Sequence, residues 1–154
     1  MNDELERFEN WLAPLIAGLS SGERLKLARN IGQKLRRSQS QRIAAQKNPD
    51  GSPFEPRKPQ PNRDKKGRIR RAMFNKMKAA RYMRVQATPE AVGIGFTGRV
   101  ARIARVHQEG LRDRVGRNGP EVQYPVRQLL GFSNEDAEMM RDAVIEHLEK
   151  SAKR

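Results

Sequence analysis

The residues that could perform acid–base, nucleophilic or metal chemistry are few and far apart in this sequence. The 154 residues include two histidines, His107 and His147, and no cysteine. Neither histidine has other ligand-type residues at the spacing that a metal site requires. His107 falls on an apolar helix face, which favours a core or interface group over a catalytic base. We therefore expect no catalytic residue, no metal site and no cofactor.

Two further patterns could suggest chemistry, and neither supports it. The carboxylates concentrate toward the ends of the chain, on polar faces of segments with helical periodicity. There they indicate helix-dipole and solubility roles and not a paired acid and base. Residues 93–98, GIGFTG, superficially resemble a nucleotide-binding loop, but their spacing fits neither the dinucleotide fingerprint nor a phosphate loop. Glycines in a strand beside a turn explain this run better.

The strong positive charge narrows the class of partner. The formal net charge is +14, from 32 Lys and Arg against 18 Asp and Glu. Such an excess favours an anionic partner, which is a nucleic acid, a membrane surface or an acidic protein. The sequence contains no recognisable nucleic-acid-reading motif, and aromatic residues make up 5% of it, too few for a stacking platform. Contact with nucleic acid would then be electrostatic and independent of base sequence.

The balance of apolar and charged residues predicts a small core and at least one poorly buried segment. Hydrophobic residues make up 36% of the chain and charged residues 32%, which is apolar-poor for a compact domain. The acidic start is not followed by a long apolar run, and no stretch approaches the roughly 18 apolar residues of a membrane span. We expect no signal peptide, no membrane partner and synthesis in a reducing cytosol.

Residues 1–48 predict a helical N-terminal region. Apolar residues first recur at three- and four-residue steps, the pattern of an amphipathic helix. Pro14 lies inside this helix and predicts a kink or a break. Ser20 and Glu23 form a capping box that starts a second helix, which we expect to end near residues 48–49.

Residues 49–71 predict an extended basic arm. Five of the nine prolines lie here, and so few residues are apolar that burial cannot offset the entropy lost on ordering. Residues 54–81 contain 11 basic and two acidic residues, which is +9 of the net charge of +14. We expect the arm to be mobile alone and to dock on a partner subunit or on phosphates. A flexible linker without contacts is the alternative.

Residues 72–154 predict a module of helices and a small sheet. The expected elements are, in chain order, a short helix over 73–81, hairpin strands over 82–87 and 91–96, a helix over 99–109, a Gly- and Arg-rich loop over 111–124, and a last helix that starts after Ser133 or Asn134. Gly110 is the expected C-terminal cap of the middle helix. The predicted class is therefore α+β, with long N-terminal helices, the arm, and a small β-hairpin packed with further helices.

Several stretches, in one order along nearly the whole chain, resemble a single family. They are residues 5–12 (LERFENWL), 42–51 (RIAAQKNPDG), 53–57 (PFEPR), 95–108 (GFTGRVARIARVHQ) and 124–132 (YPVRQLLGF). Together they are similar to the phage virion morphogenesis (tail-completion, S-type) family of temperate contractile-tailed phages. No single stretch is a chemical signature, so the specificity of the resemblance comes from their order.

The resemblance implies a structural role in the phage tail, with no catalytic residues to transfer. It implies a ring of this chain, for which a hexamer is one candidate, at the end of the virion tail that faces the head. The implied partners are other copies of the chain, other tail and neck or connector proteins, and phage DNA in transit. The implied assembly-interface residues are Phe54, Phe96, Val100, Ile103, His107, Tyr124, Arg127, Leu130 and Phe132.

A positive lining would suit a channel for DNA, since it binds the phosphate backbone without sequence preference. The residues that we expect to line it are Arg63, Lys65, Lys66, Arg68, Arg70, Arg71, Arg99, Arg102, Arg105, Arg112, Arg114 and Arg117. Salt bridges between protein subunits are the alternative role for these side chains. The alternative function for the chain is that of a free, basic nucleic-acid-binding protein, such as a packaging or ribosome-associated factor.

Overall fold

A computed structural model describes residues 2–58 and 72–154. Its helices and strands are, in chain order, α1 (Asn2–Ala17), α2 (Ser21–Ala44), β1 (Met83–Ala87), β2 (Val92–Phe96), α3 (Val100–Glu109), β3 (Arg112–Arg114), β4 (Glu121–Gln123) and α4 (Asn134–Ala152). The α+β class is thereby confirmed. None of the described helices combines the length and apolar character needed to cross a membrane. Six predicted channel residues lie outside the described residues: Arg63, Lys65, Lys66, Arg68, Arg70 and Arg71.

The N-terminal region contains the two predicted helices, but α2 ends at Ala44 and not near residues 48–49. Pro14 lies inside α1, which continues through it to Ala17, so of the expected kink or break the break does not occur. Ser20 caps α2, where its hydroxyl accepts the backbone N–H of Glu23 at 3.2 Å. Trp11 and Leu15 on α1 remain 58% and 43% exposed.

Helix α2 takes part in two apolar clusters and so joins the two halves of the chain. The first cluster contains Leu12, Leu27, Ile31, Leu35, Ala143 and Val144, from α1, α2 and α4. The second contains Ile43, Phe54, Met73, Met77, Met83, Ala104 and Leu129. Because both clusters include residues of this one helix, α2 positions α4 on one side and the sheet module on the other.

The predicted hairpin forms and packs on α2. Strands β1 and β2 are antiparallel, with Met83 paired to Phe96 at one end and Ala87 to Val92 at the other. A Cβ on Gly32 of α2 would lie 2.3 Å from Cγ1 of Val85 and 3.0 Å from Cγ2 of Val92. Glycine at this position therefore allows the close approach that an otherwise marginal two-stranded sheet needs for stability.

The ends of the last two helices agree with the sequence. Gly110 follows α3 in the left-handed conformation, with φ of 65°, which glycine adopts at little cost. Ser133 caps α4 in a capping box, since its hydroxyl accepts the amide of Asp136 and the Asp136 carboxylate accepts the amide of Ser133. Asp136 is 2% exposed, so this cap is also part of the interior.

The prediction of a short helix over residues 73–81 is wrong, because the chain forms successive turns at residues 73–82. Phe74 has φ of 63°, a left-handed conformation that a right-handed helix does not contain. The Gln46 side chain donates to the Met73 carbonyl at 2.9 Å and accepts the Met73 amide at 2.8 Å. Tertiary hydrogen bonds thus replace the helical ones, while Met73 and Met77 are buried as expected.

The prediction of a loop over residues 111–124 is also wrong, because this segment contains the second hairpin. Strands β3 and β4 pair antiparallel, with Asp113 opposite Val122 and Arg114 opposite Glu121. Mostly polar strands of three residues have no clear hydrophobic alternation, so periodicity does not reveal them.

The start of the predicted arm packs into the module. Phe54 is 4% exposed and belongs to the second cluster, and its amide donates to the Gln46 carbonyl at 2.8 Å. The expectation that residues 49–71 bury too little apolar surface to become ordered is therefore wrong at Phe54. Burial of this aromatic ring acts together with hydrogen bonds from Arg127 to the carbonyls of Glu55 and Pro56 to hold the segment.

Candidate assembly surface

An irregular segment over residues 124–132, which we call the strap, is fastened to the module by side chains. Gln108 of α3 binds both backbone groups of Leu130: its amide nitrogen donates to the carbonyl at 2.8 Å, and its oxygen accepts the N–H at 2.9 Å. Asn48 accepts the amide of Gln128 at 2.9 Å. Side chains thus supply the hydrogen bonds that regular structure would otherwise give this backbone.

Arg42 of α2 holds the middle of the strap from the other side. Its guanidinium donates to the carbonyls of Gln128 at 2.9 Å and Leu129 at 3.0 Å, and the Leu129 side chain is fully buried. Burial lowers the pKa of Arg42, and the nearby Asp136 carboxylate opposes that shift. The guanidinium therefore links α2, the strap and the start of α4 in one polar network.

Arg127 turns inward from the strap and binds the start of the arm. It is 4% exposed, and its guanidinium donates to the carbonyls of Glu55 at 2.7 Å and Pro56 at 3.2 Å. Burial lowers the pKa of Arg127, whereas the Glu55 charge raises it and the Arg57 charge lowers it. We predicted Arg127 as an assembly residue, but the structure uses its guanidinium within the chain.

His107 lies in a row of rings beside Arg127. Its ring centroid is 4.8 Å from that of Phe74 and 4.9 Å from that of Tyr124, both edge to face. Burial lowers the pKa of His107 to about 4, and the positive charges of Arg127 and Arg57 contribute. Its Nδ1 lies 3.1 Å from Nη1 of Arg127, and because a guanidinium only donates, Nδ1 must accept. His107 is thus a neutral structural group at physiological pH.

The predicted assembly residues divide by exposure. Ile103 and Phe132 are 47% and 68% exposed, so they offer apolar surface to another molecule. Four others, Phe96, Val100, Tyr124 and Leu130, are half-buried. Phe54 and Arg127 are each 4% exposed, so their side chains have almost no free surface and belong to the chain's own interior.

Sequence reasoning missed several residues of this surface. Val126 on the strap is 53% exposed, yet a lone valine in an irregular segment carries no pattern. Arg42 and Gln108 clamp the strap, but in the sequence each is an ordinary residue of a polar helix face. Gln108 stands at the end of the resemblance over residues 95–108, which is the one signal that pointed to it.

Four of the predicted channel arginines meet in an open groove between α3 and the β3–β4 hairpin, which we call the basic groove. It is lined by Arg99, Arg102, Ile103, Asp113, Arg114, Gly116 and Arg117. Arg102 pairs with Asp113 at 2.6 Å. The backbone N–H of Arg114 has the largest effect and lowers the pKa of Asp113. Burial opposes it, and the hydrogen bond and charge of Arg102 and the charge of Arg114 lower the pKa further.

The remaining two predicted channel residues of the described chain lie outside this groove. Arg105 pairs with Glu109 at 3.5 Å on α3 and lines a separate shallow depression with Phe96 and Leu130. Arg112 is exposed on β3. The six arginines therefore do not form one continuous lining within a single subunit.

The described residues contain no group of three or more His, Asp or Glu side chains arranged to hold a metal ion. In the basic groove the single carboxylate of Asp113 is already paired with Arg102. The arrangement can bind anionic surface and present apolar side chains, which are properties of an interface.

Comparisons with known proteins agree with the resemblance seen in the sequence. A model of the phage virion morphogenesis family matches residues 3–149. The tail completion protein S of Escherichia phage P2 is 41% identical over 149 residues, which is 96% of this chain and 99% of that protein. No solved structure matches this chain.

Proposed function

This chain belongs to the phage virion morphogenesis family, and on that basis we propose that it is a structural, non-enzymatic protein that completes a phage tail. In the finer form of the proposal, copies of the chain form a ring at the head-proximal end of a contractile tail and join the tail to the head. The observation that carries the proposal is the length of the match. It covers 96% of this chain and 99% of the phage P2 tail completion protein, so nearly every residue of that relative has a counterpart in this chain.

The strap, whose backbone is held by side-chain hydrogen bonds, supports the assembly part of the proposal. Hydrogen bonds from Arg42 and Gln108 hold its backbone, while Val126 and Phe132 project from it with 53% and 68% of their surface exposed. An apolar surface fixed before binding loses little entropy when a partner covers it. This is the arrangement expected of a subunit that is incomplete without neighbours.

The charge distribution supports a place beside DNA in transit. Residues 54–81 carry +9 of the net charge of +14, so the positive charge is concentrated in one part of the chain. A lumen that holds such a segment would neutralise phosphates without reading bases. We assign the lumen role to this segment.

Immunogold labelling of purified particles tests the proposal. A phage that lacks this gene, complemented by an epitope-tagged chain, should give particles labelled at the junction of head and tail. Without complementation, heads and tails should accumulate unjoined. Absence of the protein from clean complemented particles, established by mass spectrometry, would contradict a ring in the mature tail.

The concentration of charge in residues 54–81 also favours one alternative, a free nucleic-acid-binding protein. That function requires the isolated chain to bind DNA or RNA with a steep dependence on salt concentration. Weak binding with little salt dependence at physiological ionic strength would exclude it. Strong binding together with absence from particles would favour it over the tail role.

A further inference from the structure

Helix α4 presents a row of acidic side chains to solvent, which we call the acidic stripe. It consists of Glu135, Glu138, Asp142, Glu146 and Glu149, all exposed. Their spacing of three or four residues places them within an arc of about 80° and along about 21 Å of the helix. The stripe is therefore a straight, one-sided feature of the surface.

Helix stability alone does not explain the acidic stripe. Glu135 lies in the first turn, where the helix dipole favours negative charge, but Glu149 lies near the C-terminus, where it does not. Neighbouring members are three or four residues apart, so their like charges repel. Glu146 pairs with Lys150 at 2.8 Å, but the other four members form no ion pair within the described chain. A cationic partner would relieve this repulsion.

The same chain carries a surface of opposite charge on different elements. Residues 99–117 contain six arginines against two acidic residues, a net charge of +4. Residues 134–149 contain six acidic residues against one arginine, a net charge of −5. Helix α4 packs on α2, whereas α3 packs on β2. Among the described residues no ion pair joins the two surfaces, so within one subunit they do not neutralise each other.

From this complementarity we propose that the acidic stripe of one copy occupies the basic groove of the next copy. The contact joins two different surfaces of one chain, so it is head-to-tail and can repeat from subunit to subunit until a ring closes. The inference rests on the ring assembly proposed above and names its interface. Ile103, 47% exposed in the groove, supplies apolar area at the centre of the contact.

A second copy fits the groove better than DNA does. Ile103 is apolar and gains nothing from a phosphate backbone. The acidic stripe of the same subunit would also be repelled by DNA, whereas a copy of the chain satisfies both surfaces at once.

A charge swap tests the interface in phage production. The groove variant is Arg114→Glu with Arg117→Glu, the stripe variant is Glu138→Arg with Asp142→Arg, and the swap carries all four substitutions. Each two-residue variant replaces attraction by repulsion at every subunit contact, and we expect association to weaken on the order of 100-fold. Infectious yield should fall with it by at least about 10-fold, and the swap should restore most of that yield.

Two controls separate the possible outcomes. Reversing two exposed arginines of α2, Arg29→Glu with Arg37→Glu, should leave the yield unchanged. If the wild-type chain itself fails to rescue a phage that lacks it, the tail function is wrong. If the wild type rescues but the swap is as defective as the groove variant, the interface is wrong. If the swap is as defective as the groove variant and the groove variant also binds DNA more weakly than the wild type, the groove would be assigned to DNA.

Cross-linking measures the contact directly, because the chain has no cysteine of its own. A chain with Arg117→Cys and Asp142→Cys, assembled into particles and oxidised, should give a ladder of covalent multimers that ends at the subunit count of the ring. Arg117→Cys combined with Gln41→Cys, which places the second thiol outside the stripe, should give no ladder. Dimers as the only product would indicate a symmetric contact and would overturn the inference. It would also be overturned if Arg117→Cys gave no cross-link when combined with Asp142→Cys and none when combined with Glu138→Cys.

Discussion

The stability of the module should depend on pH through His107. The folded chain holds the pKa of this histidine at about 4, against an ordinary value of 6.5, because the ring is buried and the positive Arg127 and Arg57 lie nearby. Between these two values the unfolded chain binds a proton that the folded chain does not. The free energy of unfolding therefore rises with pH across this window. The contribution is fully present above pH 6.5 and is lost as the pH falls toward 4.

The size of the effect follows from the two pKa values. Their difference corresponds to at most about 3 kcal/mol, and since His107 is only half-buried we reduce this to about 1–2 kcal/mol for solvent screening. From pH 7 to pH 5, above the range in which ordinary carboxylates titrate, we expect a loss of about 1 kcal/mol.

Urea unfolding at several pH values between 5 and 7 measures this loss. His107→Gln keeps an acceptor for Arg127 but has no proton to gain, so the variant should lose about 1 kcal/mol less than the wild type over this range. Gln41→Asn, an exposed substitution on α2 that leaves both histidines in place, serves as the control and should retain the wild-type dependence on pH. Equal losses in the wild type and in His107→Gln would refute the assignment of a neutral, buried His107.

Four further predictions follow from the packing and the charge. Gly32→Ala should lower the free energy of unfolding by about 1–3 kcal/mol, because its Cβ would overlap Val85; Gly93→Ala, with open space around its Cβ, should cost less in the same urea titration. Arg127→Met should cost about 2–3 kcal/mol, since two carbonyls of the arm lose their donor; a change under about 0.5 kcal/mol would contradict its anchoring role. Phe132→Ser should leave thermal unfolding unchanged but lower infectious yield, because the ring is 68% exposed; wild-type yield would remove Phe132 from the interface. Replacing the six basic residues of residues 63–71 by Gln should make the slope of log affinity for duplex DNA against log salt shallower, by up to about 0.9 for each phosphate that the chain no longer neutralises. An unchanged slope would exclude this segment from binding DNA. The six are Arg63, Lys65, Lys66, Arg68, Arg70 and Arg71.

Much of the secondary structure could be predicted because it depends on local signals. Ser20, Ser133 and Gly110 mark helix ends through hydrogen bonds and backbone conformations that involve only near neighbours. In the strands around residues 83–96, apolar residues alternate with other residues, and a turn lies between the two strands. This is the pattern of a hairpin. The family was also accessible, since matching stretches occur in one order along nearly the whole chain.

Two of the failed predictions depend on distant residues. Phe74 turns the chain away from a helix, because Gln46 supplies the hydrogen bonds of Met73 from 27 positions away. The start of the arm is ordered because Phe54 enters a core built from other elements. No local pattern predicts these contacts, since each requires an approach that the whole fold creates.

For the candidate site, the sequence by itself determined the family, the absence of an evident catalytic motif, the positive charge and the existence of both charged segments. Those features depend on residue identity and spacing along the chain. Only the tertiary structure decided that Arg127 faces inward, that Ile103 and Phe132 face outward, and that four arginines share one groove. It also placed the acidic stripe and the basic groove on different elements of one subunit. Which side chains lie together in three dimensions depends on how helices and strands pack, and packing is set by many weak contacts between residues far apart in sequence.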